Sequence, residues 1–205
     1  MNKKEIVPEQ KKGFKVEHIK SETAESKNAA RDLYRKAKER LLDINNWDKL
    51  SGAMPSYFGL CDNKGNIKNG KSLLGDYVRI GLPGPSSSEG KGFDWVKVEK
   101  LGCEENDNEN NIFMTLRPSA NPYGKSDEIA HFFSKESTSN FIIEQTNNIV
   151  VASYYGRNEF PNIKDAHKLL DKIRHVVVAL GGLLGMSKIQ WTILIDNIMS
   201  KNDKK

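Results

Sequence analysis

Cysteine is scarce in this chain: Cys61 and Cys103 are the only two in 205 residues. Two thiols make no disulfide framework, and neither belongs to a CxxC or lies near a histidine at ligand spacing, so neither a disulfide scaffold nor a metal site is expected. Long apolar runs are also missing. The longest, 176–186, is interrupted by Gly181, Gly182 and Gly185 and falls short of the roughly 18 residues of a membrane span, so none is expected. The first twelve residues are charged and lack the apolar centre of a signal peptide, which gives the expectation of a cytoplasmic protein. Nor is there a concentrated basic face. The formal charge is +5, but Lys3, Lys4, Lys11 and Lys12 against Glu5 and Glu9 put +2 in the first twelve residues, and the last five hold another +2. A protein built for nucleic acid gathers Lys and Arg on one face or one helix, so no nucleic-acid partner is expected.

What is present suits one soluble domain. With 37% hydrophobic and 29% charged residues the chain can bury a single sizeable core, expected over residues 13–200, with flexible tails at 1–12 and 201–205. The stretch from Asp165 to Met199 organises the rest: Ala166, Leu169, Leu170, Ile173, Val177 and Leu180 recur at three- and four-residue steps, the spacing of one helical face. Ser187 to Gln190 match a capping box between Met186 and Trp191, so a new helix is expected to start at Ser187 after a glycine bend. The partner for that face lies earlier in the chain. From about Tyr57 to Tyr155 the residues alternate with the period of strands: Val78, Ile80 and Leu82; Val96 and Val98; Ile112, Met114 and Leu116. Two further strands, Phe141 to Gln145 and Ile149 to Tyr155, are joined by Thr146, Asn147 and Asn148.

Ahead of these strands, Phe14 to Ala24 reads as a first strand. An amphipathic helix follows on Ala30, Leu33, Tyr34, Ala37 and Leu41, capped by Ser26 or Asn28, with Trp47 and Leu50 folding back on the core. Cys61 to Asn66 is a tight turn, Glu104 to Asn111 a loop, and Leu82 to Gly92 a flexible connection or lid. The fold class is therefore α+β, a curved antiparallel sheet gripping a C-terminal helix.

Three motifs bear on chemistry. Gly65 to Ser72 is a literal GxxxxGK[ST], but an alternating strand follows it instead of a helix, so a polar turn is the better reading. His167 and His175 lie eight apart on a helix, too far to hold one metal. Arg117 and Arg157 border irregular loops, and with Trp95, His131 and Tyr155 they are the candidate edge of a pocket for an anionic or amphipathic ligand. Arg79 alternates away from the apolar set and is read as facing solvent. For His131 a satisfied core or loop histidine is the plainer alternative.

The order of strand, helix with a tryptophan-bearing tail, meander and long C-terminal helix resembles the START/polyketide-cyclase-like superfamily, known for the helix-grip fold. The residues that carry the resemblance are FKVEHIKSETAESKNAARDLYRKAKERLLDINNWDKLSG, LLGDYVRIGLPGP, FDWVKVEKL and the helical segment after Pro161. The resemblance implies a hydrophobic cavity between the sheet and the last helix. It implies first a non-enzymatic binder of a small hydrophobic or amphipathic molecule, with Arg117, Arg157 and Tyr155 near the mouth and no cofactor. A second reading is a cyclase or hydrolase using His131 as acid or base. A third is an interaction module presenting residues 181–186 to a partner such as a second copy of the chain.

Overall fold

The computed structural model describes residues 3–52, 57–81, 90–162, 185 and 188–200. Its centre is a curved seven-stranded antiparallel sheet. The strands are β1 (Phe14–Thr23), β2 (Tyr57–Cys61), β3 (Tyr77–Gly81), β4 (Asp94–Glu105), β5 (Glu109–Pro118), β6 (Thr138–Thr146) and β7 (Ile149–Glu159). They lie in the order β1-β7-β6-β5-β4-β3-β2, so the first strand closes the meander by pairing with the last. Two register shifts, between Val98 and Lys100 and between Phe14 and Val16, are the bulges that bend such a sheet.

Helices pack on one face of this sheet. Besides a single turn, α1 (Lys3–Ile6), there are α2 (Lys27–Leu42) and α3 (Trp47–Leu50), and residues 188–198 form the described part of the C-terminal helix. Ser26 caps α2 by accepting the Ala29 N–H at 3.1 Å, one of the two caps expected. The face α2 buries is Ala30, Leu33, Tyr34, Ala37, Leu41 and Leu42, as the helical spacing requires. Trp47 returns to the core, its Nε1 donating to the Arg40 carbonyl at 3.1 Å.

The inner face of the sheet is set by alternation. Phe58 and Leu60 on β2, Val78 and Ile80 on β3, Val96 and Val98 on β4, Ile112, Met114 and Leu116 on β5, Phe141 and Ile143 on β6, and Val150, Ala152 and Tyr154 on β7 share one core with α2 and residues 191–199. Trp191 sits in its middle. Its ring centroid lies 6.0 Å from Trp47, 6.0 Å from Phe58, 5.3 Å from Phe141 and 5.7 Å from Tyr154, so one aromatic cluster joins residues 188–198 to the sheet. At the sheet edge His18 Nε2 meets Asp196 Oδ1 at 2.9 Å and ties β1 to the same helix.

Two stretches differ from their sequence reading. Glu104 to Asn111, expected as a loop, is mostly strand: Glu104 pairs with Asn111 and Glu105 with Asn110, and only Asn106 to Asn108 turn the chain. The Asn106 Oδ1 accepts the N–H groups of Asn108 and Glu109 and closes that turn locally. Residues 3–12, read as a tail, lie along the outer face of the sheet. There Ile6 and Val7 are buried against Ile142 and Tyr155, and Asn158 Oδ1 accepts the Lys11 N–H at 2.7 Å. The helical periodicity over 165–180, the start at Ser187 and residues 82–89 of the connection or lid expected over Leu82 to Gly92 fall outside the described residues.

Candidate functional site on the inner face of the sheet

Polar groups interrupt the apolar inner face at one end, where β4 begins and β6 begins beside the end of β7. Tyr154 has no exposed surface, and its hydroxyl donates to the Glu159 carboxylate at 3.2 Å and lies 3.2 Å from Ser139 Oγ. Strict alternation would not bring Glu159 there. Asn158 adopts φ 54°, and the register between β1 and β7 slips at this point, so a bulge turns the chain and sends Glu159 back over Gly156. Gly156 makes the approach possible. A Cβ there would overlap the Glu159 carboxylate and come within 3.1 Å of the Tyr154 hydroxyl. Glu159 is 3% exposed, and burial pushes its carboxyl up to about 7 against the lowering effects of the Tyr154 hydrogen bond and the Arg157 charge. The Tyr154 phenol is driven well above its ordinary range, first by burial and then by the neighbouring carboxylate.

A second carboxyl stands at the same end of the sheet. Asp94 pairs with Ile80, which places it on the inner face beside Val96. It is 7% exposed and has no hydrogen-bond or ion-pair partner among the described residues. Burial alone pushes it up to about 7.

The residues singled out from the sequence lie elsewhere. Arg117, on the parity opposite to Leu116, points to the outer face and binds Glu99 at 2.7 Å and the Lys135 carbonyl at 2.8 Å. Arg157 is buried on that same face, held by the carboxylate of Glu17 and the carbonyls of Gly156 and Val16, with its guanidinium 5.3 Å from the Tyr155 ring centroid. Tyr155 packs there with Ile6, Val7 and Ile142. Trp95 is also on the outer face, buried with Cys61 and Ala130, its Nε1 donating to the Gly90 carbonyl at 3.2 Å. His131 is buried beside that cluster, its Nδ1 accepting the Phe133 N–H at 2.9 Å and its ring stacked 4.6 Å from Phe132; burial drives it down to about 3, so it is neutral at physiological pH. Arg157 and Tyr155 are therefore brought together. They, Trp95 and Arg117 lie on the face of the sheet opposite to α2.

Gly65 to Ser72 forms a turn with Gly65 at φ 82° and Gly70 at φ 94°, followed by β3, so the helix start that a phosphate loop needs is not there. Lys71 instead lines a surface pocket of about 330 Å³ beside α2, with Arg31, Tyr34, Arg35, Lys38 and Glu105.

Four inward polar residues were not anticipated. Asp94 was within reach, because it stands two residues before Val96 on an alternating strand. Tyr154 carries no such signal, since β7 reads VVASYY with apolar or aromatic side chains on both faces, and neither does Ser139, since the FII that follows it on β6 is apolar on both faces too. Glu159 depends on a bulge that only the pairing of β1 with β7 reveals.

No family model matches the sequence, and no curated protein matches it. Among solved structures the chain is similar to ginseng major latex-like protein 151 from Panax ginseng, with 14% identity, 82% of this chain and 96% of that one covered, and a TM-score of 0.35. A point mutant of norcoclaurine synthase from Thalictrum, in complex with a transition-state analogue, shows 14% identity over 88% of this chain and 94% of its own, with a TM-score of 0.35. Ara h 8.0201 shows 10% identity over 88% and 99%, with a TM-score of 0.28. At these identities and scores the likeness is one of general shape and says nothing of ligand or activity.

Proposed function

We propose that this protein binds a small amphipathic molecule against the inner face of the sheet, its polar end at Ser139, Tyr154 and Glu159 and its apolar part along the neighbouring aliphatic side chains. The observation that carries this reading is the Tyr154–Glu159 pair: a phenol and a carboxyl buried on a face whose other residues are mostly apolar. A buried carboxyl costs stability unless something satisfies it, and one neutral hydrogen bond leaves most of its acceptor capacity open. Gly156 and the bulge at Asn158 keep that carboxyl aimed inward instead of letting it reach water at the strand end. Pockets that orient small ligands combine an apolar lining with a few convergent polar groups of this kind.

Native mass spectrometry of freshly purified protein tests the reading. The expected result is a small molecule retained at one per chain, removable by solvent extraction, whose return raises the melting temperature. Y154F is expected to retain it less well while folding normally. A bare chain mass, together with no thermal shift across a panel of amphiphiles, would overturn the proposal.

A further inference from the structure

The charged groups that interrupt the inner face of β3 to β7 at the binding end are of one sign. By alternation the inward positions there are Val78 and Ile80, then Asp94, Val96 and Val98, then Leu116 and Pro118, then Ser139 and Phe141, then Tyr154 and Gly156, with Glu159 folded back after the bulge. Two carboxyls are present, and no Lys or Arg points inward from β3 to β7 among the described residues. Arg157, nearest in sequence to Glu159, is committed to Glu17 and two carbonyls on the opposite face. The arginines that suggested an anionic guest lie behind the sheet.

The two acids are not equivalent. Glu159 already accepts the Tyr154 hydroxyl at 3.2 Å. Asp94 accepts nothing from the described residues although it is 7% exposed. A buried carboxyl without a donor is the group with most to gain from a cation, because a charge-assisted hydrogen bond in a low-dielectric site is stronger than a neutral one. Asp94 on β4 and Glu159 on β7 are three strand spacings apart, about 14 Å at ~4.8 Å per strand, the length of a modest amphiphile and not of a single headgroup.

Building on the binding reading above, we infer that the ligand is a cationic amphiphile whose protonated amine is seated on Asp94, while Tyr154 and Glu159 receive a neutral donor or acceptor at its other end. The inner face of β3 to β7 selects against anionic guests by the same charges, while on β1 His18 and Lys20 are held by Asp196 and Glu22.

Calorimetric titration of the intact protein with decylamine, 1-decanol and decanoate, below their micelle concentrations, tests this. Decylamine is expected to bind at least roughly tenfold more tightly than 1-decanol, the factor that corresponds to one good ionic hydrogen bond, and decanoate more weakly than either. D94N is expected to bring decylamine and 1-decanol to within about twofold of each other, whereas E144Q, at an exposed carboxylate on the outer face of β6, is expected to leave the amine preference in place. Both variants are isosteric, and a thermal melt of each confirms that it folds. Equal binding of the three probes, a preference for decanoate, or an amine preference that survives D94N would overturn the inference while leaving a ligand-binding protein. If none of the probes binds and no molecule is retained on purification, the binding reading falls and takes this inference with it.

Discussion

Replacing Asp94 by Asn should make the protein more stable at pH 8 and change it little at pH 4. Asp94 is 7% exposed, and burial alone lifts its carboxyl from 3.8 to about 7. A carboxyl raised in the folded state holds a proton that the unfolded chain has already lost, so its contribution is complete below 3.8 and disappears as pH rises through about 7. At 1.36 kcal/mol per pH unit, the ionised carboxylate costs the folded protein about 4 kcal/mol relative to the protonated one once both states are ionised. That is a large share of the roughly 5–15 kcal/mol that holds a typical domain together. Asn copies the shape of the neutral acid and carries no such titration. Urea unfolding at pH 4 and pH 8, followed through the fluorescence of Trp47, Trp95 and Trp191, measures both proteins against the same background of other titrating groups. The advantage of D94N should grow from near zero at pH 4 to about 4 kcal/mol at pH 8. A difference between the proteins that is the same at both pH values would refute the assignment of Asp94 as a buried carboxyl without a donor.

Two other substitutions probe the packing around the site. W191A removes the ring at the centre of the aromatic cluster, within 5.3–6.0 Å of four others, and should cost about 3–5 kcal/mol in urea unfolding; a loss under about 1 kcal/mol would show that the C-terminal helix is not seated as described. G156A places a Cβ against the Glu159 carboxylate and the Tyr154 hydroxyl and should cost about 1–3 kcal/mol, most of which should vanish in an E159A background. An equal cost in both backgrounds would mean that Gly156 does not make room for Glu159.

Much of the architecture is legible in the residues. Alternation at Val78 and Ile80, Val96 and Val98, and Ile112, Met114 and Leu116 places one face of each strand in the core, and the three- and four-residue spacing in α2 does the same for the helix. The turn at Thr146 to Asn148 is equally local, for Asn147 takes φ 54°, which asparagine tolerates. The β4–β5 hairpin escapes such reading because its tip is polar: Glu104, Glu105, Asn110 and Asn111 become strand only by pairing across the turn.

The candidate site was the harder part. Trp95 and Arg117 share the parity of Lys97 and Thr115, which is enough to send them outward. Tyr155 and Arg157 could not be placed that way, because β7 carries paired apolar residues, Val150 with Val151 and Tyr154 with Tyr155, and such a strand shows no preferred face. What covers each face of β7 decides it. Ile6 and Val7 lie on Tyr155, and Trp191 lies on Tyr154.

By itself the chain of residues determined the elements and the kind of sheet, because helical and extended periodicities are properties of a dozen neighbouring side chains. Which polar groups end up inside was decided by tertiary structure alone. A bulge that redirects Glu159, a glycine that leaves room for it and an N-terminal segment that claims the outer face each depend on strands or segments far apart in sequence, and contacts at that range leave no mark on local pattern.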